Sequence, residues 1–196
     1  MKVWLGILFL SIIGNSFANF TDVKEEYSFI DWKDALNAHP DTVYAISFRK
    51  YKLDSLPQEL SKFKNLIALD LEKNKLTALP EYLKDFDQLI FLDLSRNKFE
   101  SYPLPLNYMQ QLQYLSLAQN NIVTVSRGIS FMKELKVLDL YDTMLETLPD
   151  NFDLLKSNLE FVDLRGQTFN EEFAKKWTDL LKGVELKLDP PCKCMQ

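Results

Sequence analysis

Few residues in this chain have the types and spacing to do chemistry: Cys192 and Cys194 one residue apart, a single histidine at position 39, and aspartates that return at a fixed interval. Vicinal thiols such as Cys192-Lys193-Cys194 can exchange with disulfides, bind a soft metal or join two chains in an oxidising compartment. They are too close in sequence to staple distant parts of a fold. One His and two Cys do not make a compact zinc set, and with five glycines there is no Gly-rich phosphate loop. The aspartates are Asp70, Asp93, Asp139 and Asp163, in step with Ser47 and Ser116. Carboxylates on neighbouring strands repel; a basic partner or a hard cation relieves them, and paired acids can exchange protons. Exposed acids are also well solvated, and the solvated reading is the simpler one.

The elements that carry these residues follow from one internal period. Leu66, Leu69, Leu71, Asn74, Leu76 and Leu79-Pro80 are matched by Leu89, Leu92, Leu94, Asn97, Phe99 and Tyr102-Pro103. Leu112, Leu115, Leu117, Asn120, Ile122 and Val125 follow, and weaker copies start at Val43, Leu135 and Leu159. Within each copy the fourth and sixth positions alternate as a short strand does, and stacked copies make a parallel sheet. The apolar triplets after each junction, such as Leu60, Phe63 and Leu66, suit short helical or 3₁₀ turns on the opposite side. Narrow strand spacing against wider turns bends the stack and makes the sheet face concave. Asn74, Asn97 and Asn120 stand where each strand turns away and are expected to form a structural ladder, satisfying backbone groups of two coils.

This LxxLxLxxNxLxxLP pattern resembles the leucine-rich-repeat family over Val43 to Phe169, in the 23-residue form found in exported bacterial proteins. The resemblance implies an α/β right-handed solenoid: a curved parallel sheet on the concave face, short turns on the convex face, and helical caps. Domains are expected at 1–18 (signal peptide), 19–42 (N-terminal helical cap), 43–169 (six repeats) and 170–196 (C-terminal cap with the Cys-Lys-Cys tail). In the first cap Ser28 and Asp31 fit a capping box, with Phe29, Trp32 and Leu36 on one helical face. In the last, Phe173, Trp177 and Leu180-Leu181 form an apolar stripe, followed by a truncated strand at Val184 to Leu188.

Lys2, the apolar run from Val3 to Ile13, and the small residues Ser16 and Ala18 read as a secretory signal peptide cut after Ala18. The run is about half the ~20 residues that a spanning helix needs, so a secreted, extracellular or periplasmic chain with no membrane span is expected. Lys2 is the only charged residue removed, so the formal charge moves from −5 to −6. Such a chain has no electrostatic attraction to nucleic acid.

The leucine register fixes which side chains point outward. One outward column is Ala45, Ala68, Phe91, Tyr114, Val137 and Phe161, with Tyr141 beside it. The next is the aspartate and serine column. A third runs from basic Arg49, Lys50, Lys73 and Arg96 to Gln119, Asp142 and Gly166. Phe91, Tyr114, Val137, Tyr141, Phe161, Asp93, Asp139 and Arg96 are therefore the expected contacts for a protein partner, since exposed aromatics and Arg carry much of the energy at interfaces. Rings that merely cover one another along the sheet are the alternative. His39 and the cysteines lie at opposite ends of a six-coil stack, on the order of 25–30 Å apart, which separates any Cys-His dyad. The expectation is a monomeric, non-catalytic, protein-binding module with no cofactor and no metal. The alternatives are a structural or adhesive repeat protein, and a thiol-active protein using Cys192 and Cys194.

Overall fold

The computed structural model describes residues 20–191. The expected leader at 1–18 and the Cys192/Cys194 pair lie outside the described residues. Each repeat contributes one three-residue strand: β2 (Ala45–Ser47), β3 (Ala68–Asp70), β4 (Phe91–Asp93), β5 (Tyr114–Ser116), β6 (Val137–Asp139) and β7 (Phe161–Asp163). Together with β1 (Ile30–Asp31) and β8 (Glu185–Lys187) they form one parallel sheet in sequence order. The register is leucine on leucine, Leu69 beside Leu92, Leu115 and then Leu138, with Val162 closing the row. These side chains have no solvent exposure. They pack against Leu60, Leu83, Leu106 and Ile129 from the 3₁₀ turns Gln58–Lys62, Glu81–Asp85, Leu104–Tyr108 and Arg127–Phe131. A further turn at Phe152–Leu155 completes the convex side.

The asparagines stitch coil to coil. Asn97 Nδ2 donates to the carbonyls of Leu71 at 3.0 Å and Leu94 at 2.9 Å, and its Oδ1 accepts the Leu76 amide at 3.0 Å. Asn74 and Asn120 repeat the scheme one coil before and one after. Where the motif lapses, the Thr143 hydroxyl donates to the Leu140 carbonyl of its own coil, and Gln167 Nε2 donates to the Leu140 carbonyl and the Thr143 hydroxyl while its buried Oε1 has no partner. Asn97→Ala orphans the Leu76 amide and takes one of two side-chain donors from each of the Leu71 and Leu94 carbonyls, which keep Asn74 and Asn120, so thermal or urea unfolding should show a loss of about 1–3 kcal/mol. An unchanged transition would mean that these groups are satisfied in another way.

The residue before the ladder position turns each coil in the left-handed region: Lys50, Lys73, Arg96, Gln119 and Asp142 have φ between 52° and 63°, and Gly166 has φ 88°. A Cβ on Gly166 would meet the Asp142 backbone at 2.6 Å, so that one coil needs glycine.

The C-terminal lid is α3 (Glu171–Leu180), started by Asn170, whose side chain accepts the Phe173 amide at 2.8 Å. Trp177 and Leu181 are buried against the last coil, and Leu186 on β8 packs on the same core. The N-terminal end differs from the expected single helix. Only α2 (Trp32–Ala35) is helical there, capped by Asp31, because Ile30–Asp31 pairs as a strand with Ile46–Ser47 and satisfies that sheet edge. Trp32 stacks on Phe48 at 4.6 Å and closes the core, whereas Leu36 is 53 % exposed and Phe29 faces the other side of the sheet. The preceding residues form α1 (Phe20–Glu25), which lies across the concave face against β5 and β6.

Candidate functional site

The concave face is built from the outward positions of β2 to β7, and its apolar column is covered. Phe91, Val137 and Phe161, expected to face solvent, are 0 %, 2 % and 4 % exposed; Tyr114 is half-buried. The cover is the chain's own N-terminal segment. Phe20 stacks on Phe91 with ring centroids 4.7 Å apart, Tyr27 approaches the same ring at 5.1 Å, and Phe29 meets it edge-on at 6.0 Å. Val23 completes a second apolar cluster, separate from the solenoid core and on the other side of the sheet. Both sides of this contact gain from it. A six-residue helix does not hold its shape in water, and an exposed Phe91 would leave a large ring wet.

The aspartate column has a local purpose that spacing alone does not reveal. Each member accepts the amide two residues on: Ser47 from Arg49 at 3.1 Å, Asp70 from Glu72 at 3.0 Å, Asp93 from Ser95 at 2.9 Å and Asp163 from Arg165 at 3.0 Å. Ser116 and Asp139 do the same for Ala118 and Tyr141. These side-chain turns end each strand and lead the chain out of the sheet.

Nor is the column well solvated. Asp70 and Asp93 are each 3 % exposed, and they sit beside Glu72, so that carboxylate oxygens of all three lie within 4.8 Å of one another. Lys24 on α1 drops its ammonium among them, at 3.0 Å from Asp70, 3.0 Å from Glu72 and 2.5 Å from Asp93. Burial pulls the Lys24 pKa down, but Asp93 and Asp70 pull it up further, so the amine stays protonated. Glu72 is also met by Arg49 at 2.9 Å, Lys73 at 3.4 Å and Arg96 at 3.8 Å. Burial opposes its ionisation, yet Lys24 with Arg49 and Lys73 holds its carboxyl below the usual value. The basic edge therefore converges on one glutamate. Arg96 continues outward to Gln119 at 2.5 Å, and Gln119 to Asp142 at 3.2 Å.

Toward the C-terminal coils the face opens. Asp163 is held by Arg165, with Nη2 at 2.6 Å and Nε at 3.0 Å. The Arg165 guanidinium also lies 5.7 Å from the centroid of the Tyr141 ring, which is 41 % exposed. A hollow of ≈ 410 Å³ adjoins them, lined by Asp139, Phe161, Asp163, Arg165, Glu185 and Lys187 and closed by Phe20 and Thr21. Among the described residues no cation pairs with Asp139. Burial is the main reason its pKa is pushed up to about 6, the Tyr141 amide and Ser116 hydroxyl opposing and Asp163 and Asp93 adding to the rise. Because the folded value lies above the unfolded one, the stability it gives is present below pH ~4 and lost as pH rises through about 6. Asp139→Asn keeps the acceptor for the Tyr141 amide and removes that loss. It should gain about 1–3 kcal/mol at pH 7 and nothing at pH 4 in thermal unfolding; a gain independent of pH would mean the carboxylate is not the cause.

The structure thus brings Phe91, Tyr114, Val137 and Phe161 together, but under a lid, and leaves Tyr141 and Arg96 exposed at the edge of the face. Three features were missed from sequence: the covering segment, Lys24 and Arg165. A signal was present for the first, since Phe20, Val23 and Tyr27 fall on one helical face. On the convex side Tyr108, Phe131 and Leu154, successive copies of one position, form an exposed apolar row that the strand register did not bring to attention.

No protein-family model matches the sequence, and no curated protein does. Among solved structures the chain is similar to a leucine-rich-repeat protein of Leptospira interrogans, at a TM-score of 0.53 and 23 % identity, over 83 % of this chain and 54 % of that one. The chain spans about half the length of that structure. No helix among the described residues is long and apolar enough to cross a membrane. With its stacked 23-residue coils, parallel sheet, 3₁₀ turns and asparagine ladder, the chain has the leucine-rich-repeat solenoid fold.

Proposed function

We propose that the protein is a non-catalytic, secreted or periplasmic protein-binding module, processed after Ala18, whose partner engages the open C-terminal part of the concave face. The observation that carries this reading is the exposed Tyr141 ring with Arg165 beside it, next to a hollow lined by acids and Lys187. An aromatic and an arginine held in a fixed pose at a concavity are the residue types that anchor partners, because little side-chain freedom is left to lose on binding. The half-paired Asp139 adds a site for a partner's donor. The nearby acids lack the other parts of a hydrolytic centre: Asp163 is tied to Arg165, and among the described residues no histidine lies beside the pair.

The test is capture by the processed chain and by a Tyr141→Ala/Arg165→Ala variant in parallel, from the medium in which the protein is found. Tyr141 is a surface group, but Arg165 is the cation of the buried Asp163, so the variant also carries Asp163→Asn and its thermal transition is measured to confirm that it is folded. A partner retained by the intact face and lost by the variant supports the reading. A partner held equally by both would move the contact elsewhere, for example to the convex row.

A further inference from the structure

We propose that the covered part of the concave face is a receptor groove for a protein segment that carries a lysine between aromatic residues, with residues 20–29 as its resident occupant. This rests on the reading of the chain as a protein-binding module and names the chemistry of the partner.

Three observations carry it. First, the groove has two complementary halves. Phe91, Val137 and Phe161 form an apolar shelf, and Asp70, Glu72 and Asp93 form a pocket for one ammonium. Second, the occupant fills both halves as a ligand would: Phe20, Val23, Tyr27 and Phe29 on the shelf, and the Lys24 ammonium in contact with all three carboxylates. It joins the solenoid only at Ile30, so it is a tethered segment on a surface rather than a coil of the stack. Third, the occupant is electrostatically imperfect. Lys24 is followed by two exposed glutamates, Glu25 and Glu26, and Glu26 acts on the rings of Tyr27 and Tyr114 in the groove. Burial is the main reason that the pKa of Tyr27 and of Tyr114 is raised; Tyr114 and then Glu26 add to the rise at Tyr27, and Glu160 and then Glu26 at Tyr114. A partner segment with the lysine and the rings but without the two glutamates makes the same contacts with less repulsion.

Tethering gives the resident an effective concentration on the order of millimolar, so an external segment competes only when it binds better or when the resident is weakened. The experiment therefore uses the processed chain and its Lys24→Gln variant with fluorescent peptides, read by anisotropy. One peptide has the sequence of residues 20–29; a second carries Glu25→Gln and Glu26→Gln; a third carries Lys24→Gln. Hydrogen exchange on residues 20–29 reports whether the resident is displaced, and Phe20→Ala is added to the Lys24→Gln chain if it is not.

The expected result is that the first peptide binds the weakened chain about tenfold or more tighter than the wild type, by the margin that losing a buried charge pair implies. The second peptide should bind tighter than the first, and the third should bind neither chain. Absence of peptide binding to a chain whose segment is shown to be open overturns the proposal. Dimers that form by exchange of the segment, seen in sedimentation, would overturn it in favour of a second copy as the occupant. Either failure is independent of capture through Tyr141 and Arg165, which the variant at those positions tests separately.

Discussion

Phe91→Ala should open the N-terminal segment while leaving the solenoid standing. The ring is fully buried, and truncating a buried Phe costs about 3–5 kcal/mol when the surroundings cannot collapse. Here the surroundings can leave. Phe20, Tyr27 and Phe29 are held largely by that one ring, whereas Leu92, the next residue along β4, points into the solenoid core and touches other coils. The loss is therefore expected as local opening, with amide protection over residues 20–29 falling by two orders of magnitude or more, on the order of the same 3–5 kcal/mol. Global unfolding should move less than in Leu92→Ala, for which a loss of about 2–5 kcal/mol is expected across the whole stack. Equal shifts in the two variants, with the segment still protected in Phe91→Ala, would mean that the cover and the solenoid are one cooperative unit.

That distinction marks where the sequence was readable. The coils were legible because a 23-residue period ties each leucine to a place, and a parallel sheet permits only one inward set once the register is known. The direction of Phe91, Val137 and Phe161 was also read correctly; they do point away from the solenoid core. Their exposure was not, because what covers a face depends on a segment outside the period. Phe20, Val23 and Tyr27 carry helical spacing, but nothing in that spacing names the surface on which the helix lies. The same holds for Asp70 and Asp93. Their repulsion could be seen from the 23-residue step, with a basic partner or a hard cation as ways to relieve it, but solvation was the simpler reading; the acids are in fact buried, and the basic group is Lys24 of the same chain. The short-range role of the column, each oxygen accepting the amide two residues on, was hidden because Asp and Ser serve there equally well and the period shows only that something polar recurs.

Lys24→Met should be the most damaging change on the concave side that touches no residue of the solenoid itself. Methionine keeps the length and apolar stem of lysine and removes only the charge, so packing of α1 is nearly preserved. What is lost is the counterion of three carboxylates, and removing one partner of a buried ion pair costs about 3–5 kcal/mol. That figure is also the ceiling, because detaching residues 20–29 returns Asp70, Glu72 and Asp93 to water. The variant is accordingly expected to show an open segment at pH 7. The sign of the pH dependence identifies the cause. Burial already holds the folded-state pKa of Asp93 above its usual value, and without the ammonium the attraction that opposes that rise is gone. Docking of the segment is then favoured below pH ~4, where Asp93 is protonated, and lost as the pH rises through its folded value. The deficit relative to wild type should therefore be small at pH 4 and largest at pH 7, read from amide exchange of residues 20–29 at both values after correction for the intrinsic rate. A deficit of the same size at both would show that Lys24 acts through its stem and not through its charge. It would also take away the reason for expecting a lysine in any segment that competes for the groove.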